Sequence, residues 1–374
     1  MNSKSWTHRF RYLSIGFLLM FAPICSLATV LGYAPSCNSL TDEYRERFEG
    51  EIGYVVGLIS KSDTPLERQV DTPLVLDCSM TGLVAYSTKV NGRGTVVIGL
   101  GLLDIAERLS WASALALYGA PEIFDSYPKY LAEQIIIRKR NPANIKQPID
   151  MVPSSVAKEA RDNKTIKEVR LGLYFGMITY VISHEYAHLE YKHLEKGIRT
   201  RTAFPRSHEE ALKFQEQEYA ADFHAALLLS MLKVPTFTGA LVNQYLIHAN
   251  EIKQDPILAQ HPPSYLRSLA LMRMGRLDAE TLGLNSKDTR RYKDVSKRLI
   301  SEYALRAYAS LGDKRLREGL DKDELNYCMR KRSNGCIRAC LVYGHSRSKC
   351  KKKFCASKQQ SQHDLVLCHL DQRQ

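Results

Sequence analysis

Cysteine is missing from residues 79 to 327 of this 374-residue chain, and acidic residues are outnumbered, 40 Asp and Glu against 53 Lys and Arg. The first absence confines any disulfide framework to the two ends. The second leaves a formal net charge of +13, which favours anionic partners over cationic ones. Cys25 and Cys37 also lack the pattern of small residues that precedes a lipidated cysteine, so the sequence does not read as a lipoprotein. What is present is ordinary for a folded protein: 44% apolar and 25% charged residues, in a length that allows two or three units.

The chain opens with Lys4, Arg9 and Arg11 ahead of an apolar run from Leu13 to Ile24, then Ser26, Leu27 and Ala28. Basic flank, short apolar run and small residues together predict a signal peptide over 1–28 and an exported, periplasmic or secreted, protein. An uncleaved membrane anchor is the alternative, since apolar character continues with interruptions to Gly32. Cleavage after Ala28 would leave eight cysteines, an even number that in an oxidising compartment predicts disulfides. Six of them, Cys328, Cys336, Cys340, Cys350, Cys355 and Cys368, crowd into a basic tail over 321–374. Their spacings fit a cross-linked helical hairpin, with Cys336 to Cys355 and Cys340 to Cys350 as the expected pairs, better than a zinc knuckle.

One stretch carries chemistry. His184-Glu185-Tyr186-Ala187-His188 writes H-E-x-x-H at the end of the apolar segment from Leu171 to Ile182, which predicts a helix buried on every side. Residues four apart lie one above the other on a helix, so His184 and His188 can grip one ion, with Zn²⁺ the usual choice for nitrogen ligands in an open site. Glu185 sits beside the metal without binding it and is placed to act as general base. A third ligand is needed. Glu218, 218 − 188 = 30 residues further on, is assigned that role, and Asp222, four residues along the same predicted helix, is expected to accept a hydrogen bond from the other nitrogen of His184 or His188. His224 points away from Asp222 and ranks below Glu218.

With H-E-x-x-H followed by E-x-x-x-D, the chain resembles the gluzincin metallopeptidases of the CAAX prenyl protease and HtpX heat-shock protease type. Two further matches keep the family's order: Thr95 to Asp104 resembles its edge strand followed by G-L-L-D, and His261-Pro262-Pro263-Ser264-Tyr265-Leu266-Arg267 resembles its H-P-P-x-x-x-R signature. The resemblance spans roughly residues 80 to 275. It implies that Val96, Val97 and Ile98 form an open sheet edge on which a substrate backbone pairs, an ordinary core strand being the alternative. It implies that Arg267 pairs with an acidic group near the site or orders its loop. His261 is read either as an oxyanion donor or metal cap, or as a structural loop residue.

The remaining segments are read more coarsely. Residues 33–95 look like a polar lead-in followed by short strands at Leu74–Leu76, Leu83–Tyr86 and Thr95–Ile98, with Asn91-Gly92 as a hairpin turn. The interval from Asp104 to His184 is longer than in the family, and about 119–165, with its five prolines, is read as an insertion near the cleft, either functional or disordered. Beyond Leu282 a charged helical stretch leads to the basic tail, which is expected to cap the fold or to meet an anionic membrane or cell-wall surface.

These readings predict an α+β, mostly helical fold: a zincin-like metallopeptidase domain over 29–320, with a small sheet packed on the zinc helix, plus a helical cysteine-rich tail. The expected activity is a zinc endopeptidase with one catalytic ion and a protein or peptide substrate. No nucleic-acid partner is expected. The alternative is a metal-binding chaperone or assembly factor of the same fold that hydrolyses little.

Overall fold

The computed structural model describes residues 31–194, 208–250 and 264–274, together with Pro262 and apart from 63 and 233. The expected signal peptide, most of the basic stretch after the H-E-x-x-H helix, His261, the charged stretch beyond Leu282 and the cysteine-rich tail lie outside the described residues. The described part is mostly helical with one four-stranded sheet, an α+β architecture.

The chain enters through β1 (Leu31–Tyr33) and then forms α1 (Asp42–Ile59). That helix corrects the reading of 33–95 as lead-in and strands. Phe48, Ile52, Val55, Val56 and Ile59 recur at helical spacing and are all buried, while the Thr41 side chain accepts the Tyr44 N–H and Asp42 and Glu43 fill the positive first turn. Cap, dipole and apolar stripe agree, and they outweigh the glycines at 50, 53 and 57.

β2 (Leu74–Asp77), β3 (Ala85–Val90) and β4 (Arg93–Gly99) complete a sheet in the order β1-β2-β4-β3. β1, β2 and β4 run parallel, and β3 pairs antiparallel to β4 through a two-residue turn. Asn91 and Gly92 there have φ of 52° and 78°, the doubly left-handed turn that matches strand twist and that Asn-Gly favours. The Cys37–Cys78 disulfide fastens the turn after β1 to the end of β2. Closing a loop of 41 residues stabilises a fold by about 4 kcal/mol in the chain-entropy picture.

The sheet order overturns one expectation. β4 holds Val96, Val97 and Ile98, but it is an inner strand with ladders on both sides, Val97 facing Val75 on one and Tyr86 on the other. Its amides are spent on neighbours, and all three side chains are buried. The strand at that end of the sheet is β3.

From β4 the chain turns into α2 (Gly101–Leu117). A Cβ on Gly101 would lie 1.9 Å from the Thr81 carbonyl oxygen, so only glycine fits that corner. The following residues are not a long loop. They form α3 (Ile123–Ala132) and α4 (Ser154–Asp162), and Ile123, Phe124, Tyr127, Leu131, Ile145 and Ile149 enter the common core. Tyr127 Oη donates to the Lys146 carbonyl and Gln244 Nε2 to that of Phe124, at 2.8 and 2.9 Å, so this interval is ordered and packs into the common core.

α5 (Lys164–Glu190) is the central element, capped by the Asn163 side chain and about 40 Å long. It packs against α2, α6 (His208–Met231) and α7 (Phe237–Asn250), and β3 lies against it as well. A Cβ on Gly239 of α7 would fall 2.6 Å from the Tyr180 ring, so glycine is what lets α7 approach the middle of α5. The short α8 (Ser264–Met274) closes over α6 and α7. No helix among the described residues is long and apolar enough to cross a membrane.

Candidate metal centre

Three ligand atoms from two helices meet at one point. His184 and His188 come from α5 and Glu218 from α6, all buried. The Nε2 atoms of the two histidines are 3.1 Å apart. Glu218 Oε2 lies 3.2 Å from His184 Nε2 and Oε1 lies 3.3 Å from His188 Nε2. Ligand atoms about 2.0 to 2.1 Å from a tetrahedral ion would stand about 3.3 Å from one another, so the triangle has the size such an ion requires.

The far side of each ring explains why the lone pairs converge. His184 Nδ1 is 2.9 Å from Asp222 Oδ1. A carboxylate accepts only, so Nδ1 carries a hydrogen, and with that tautomer Nε2 is the nitrogen left to ligate. His188 Nδ1 is 2.8 Å from His193 Nδ1. With the hydrogen on the His188 side, His188 also presents its Nε2 lone pair toward Glu218. Two imidazole lone pairs and a carboxylate at this separation repel one another, and a cation between them removes the repulsion. The cluster can hold a metal ion.

Asp222 is itself held. Arg267 on α8 clamps it in a two-toothed ion pair, Nη2 donating to Oδ1 at 2.7 Å and Nε to Oδ2 at 2.8 Å. Tyr180, one turn before His184 on the same face of α5, donates its hydroxyl to Oδ1 at 2.5 Å. Burial alone would raise the Asp222 carboxyl, but the Arg267 charge and the hydrogen bonds from Arg267 and His184 outweigh it and hold the group well below the usual carboxylate range. Burial, followed by the Asp222 charge, pushes the Tyr180 phenol well above its ordinary value. Tyr180 therefore stays a donor and Asp222 an acceptor.

Glu185 follows His184 on α5 and is 7% exposed, about 100° around the helix from it. His224 is not among the converging atoms. Its ring stacks on Tyr191 at 4.2 Å, with Nδ1 2.9 Å from the Tyr191 hydroxyl, and burial lowers its pKa. Val96, Val97 and Ile98 belong to the sheet interior, as described above. Arg267 sits in a helix rather than a loop. His261 lies outside the described residues.

Sequence reasoning missed two members of the site. Tyr180 was legible, because 180, 184 and 188 form one stripe at spacing four. His193 was not, because it lies beyond the end of α5. There the helix closes with His193 N–H bonded to the His188 carbonyl at 3.0 Å and Lys192 N–H to that of Leu189 at 3.1 Å. This is the reversal that usually ends on a left-handed glycine, yet the left-handed residue is Lys192, with φ 55°. A side chain there costs about 1 to 2 kcal/mol, and the reversal folds His193 back onto His188.

Comparison with known proteins finds no family model, no curated protein and no solved structure that matches the chain. The resemblance to gluzincins rests on the motif residues alone.

Proposed function

We propose that this protein is a zinc-dependent endopeptidase. The observation that carries the proposal is the buried triangle of His184, His188 and Glu218 with Glu185 next to it on α5. Its ligands are two imidazoles and one carboxylate, the donor set of open catalytic zinc sites, three protein groups with a fourth position left for water or substrate. A bound zinc supplies Lewis acidity and a water whose pKa is lowered to about 7.

The chain's own residues do the rest. Glu185 takes a proton from the attacking water and delivers it to the leaving amine. Asp222, fixed by Arg267 and Tyr180, holds His184 in the tautomer that leaves Nε2 free to ligate. An extended peptide can add to β3, the strand at the sheet end that lies against α5. Pairing of that kind reads backbone and demands little of sequence, which fits an endopeptidase. The Cys37–Cys78 disulfide and the N-terminal apolar segment favour an exported protein.

The test compares wild type with Glu185→Gln. Both are expected to bind about one zinc per chain, while cleavage of an unfolded protein falls about 100- to 10,000-fold in the variant, the contribution of a positioned general base. Equal cleavage by the two proteins would sink the enzyme reading. Zinc bound with no cleavage by either would leave the metal-binding chaperone in its place.

A further inference from the structure

The two histidines at the centre are supported differently. His184 leans on a carboxylate that is itself clamped by Arg267 and Tyr180. The outer nitrogen of His188 is met by another imidazole. That ring is His193, 5% exposed, with Nδ1 at 2.8 Å and ring centroids 5.0 Å apart at 65°. That placement depends on the reversal at Lys192, a left-handed residue where glycine would be free of strain.

We propose that His193 is a positioning residue for the metal centre: its Nδ1 accepts the hydrogen of His188 Nδ1, so that His188 presents Nε2 to the ion in a fixed orientation. The proposal rests on the metal reading above. A residue that merely filled the space behind His188 would need bulk, and leucine would supply it. The geometry instead brings two ring nitrogens face to face at hydrogen-bonding distance in a buried place, where only one of them can carry the proton. It also gives the pair of ligands unequal backing. The group behind His184 is a carboxylate and the group behind His188 is an imidazole nitrogen, and each orients its ring toward the ion.

The test uses the full chain and Zn²⁺ itself, with affinity read by chelator competition and the Co²⁺-substituted absorption spectrum as a second readout. His193→Leu keeps bulk and removes the acceptor. His193→Asn keeps an acceptor, since its Oδ1 falls where Nδ1 stood. The leucine variant is expected to bind Zn²⁺ about 10- to 100-fold more weakly, the usual effect of losing a partner behind a ligand, and to shift the Co²⁺ bands. The asparagine variant is expected to recover most of the affinity and the spectrum. Equal affinity in wild type and His193→Leu overturns the proposal. So does a folded asparagine variant as weak as the leucine one. If His193→Leu fails to fold, His193→Asn decides alone, near-native affinity supporting the proposal and a 10-fold or greater loss overturning it. A folded wild type that takes up no Zn²⁺ overturns the metal reading itself, a result that no variant of His193 can produce.

Discussion

Two polar clusters lie on α5, about 15 Å apart along its axis, a half-buried one around Tyr174 and a buried one around His184, and both include carboxylates, arginine and a tyrosine. Around Tyr174, Arg47 of α1 reaches Glu51, Asp104 and Glu107 at 3.3, 3.2 and 3.0 Å and the Tyr174 hydroxyl at 3.2 Å. Arg170 and Leu171 complete the walls of a cavity of about 270 Å³. Around His184 the arginine closes on one carboxylate, Asp222, at 2.7 Å, and stands 3.6 Å from the other, Glu218. In the first cluster the guanidinium is the shared cation, with its nitrogens spread over three acids. In the second the arginine fixes a supporting group, while two histidines and Glu218 converge on a point of their own. Charged groups alone do not make a cluster able to hold a metal ion; what sets the second cluster apart is the convergence of ligand atoms from His184, His188 and Glu218.

The largest expected effect separates the clusters outright. Glu218→Ala removes one of the three proposed ligands and should abolish stoichiometric zinc binding, whereas Arg47→Leu should leave zinc affinity unchanged. Titration of both variants against a zinc chelator checks this, and weaker zinc binding in Arg47→Leu would mean that the clusters are not independent.

The reverse experiment reads stability. Arg47→Leu leaves three acids without their common partner and should lower the unfolding free energy by about 3 kcal/mol, the low end for breaking a buried pair, because the Arg47 side chain keeps 29% of its exposure. Urea denaturation measures it. A loss below about 1 kcal/mol would place the Arg47 cluster among ordinary surface pairs.

Within the candidate metal centre, Asp222→Ala should weaken zinc binding about 10- to 100-fold without abolishing it, because Asp222 meets the outer nitrogen of His184 and is not among the converging groups. If Asp222→Ala loses zinc completely and Glu218→Ala keeps it, the roles of the two acids are exchanged.

The smallest effect is a pH dependence in the Tyr174 cluster. Burial raises Glu51 and Asp104 above their ordinary values, against the lowering pull of Arg47 on both and of the Tyr174 hydrogen bond on Glu51. For a raised carboxyl the linked stabilisation is fully present below the unfolded pKa of about 4 and is lost as pH rises through the folded-state value. Glu51→Gln should therefore show a flatter dependence of unfolding free energy on pH above about 4 than wild type. Identical slopes would show that Glu51 titrates in the folded protein as it does in the unfolded chain.

Helix periodicity and spacing rules are local, so whatever rests on them was legible in the sequence. His184 and His188 share a face because they are four apart, Glu218 and Asp222 for the same reason, and Asn91-Gly92 makes a hairpin turn because both positions need positive φ. The mostly helical α+β class followed from such patterns. So did α5, whose apolar run predicts burial on all sides.

Only the tertiary structure decided which helix meets which. α1 was overlooked because glycines diluted an apolar stripe that becomes evident once it packs on the core. The strand order put β4 inside the sheet, since parallel pairing with β2 and antiparallel pairing with β3 consume both of its edges, a long-range choice that no window of residues contains. The prolines of the interval from 119 to 165 break its periodicity, so the sequence left open whether it was ordered; its apolar residues find partners on α2 and α7. The partner of His188 was settled by a backbone reversal at a lysine, where sequence preference favours glycine. Local rules fix which side chains share a face. Which faces meet, and therefore which lone pairs converge, depends on contacts between residues far apart in the chain.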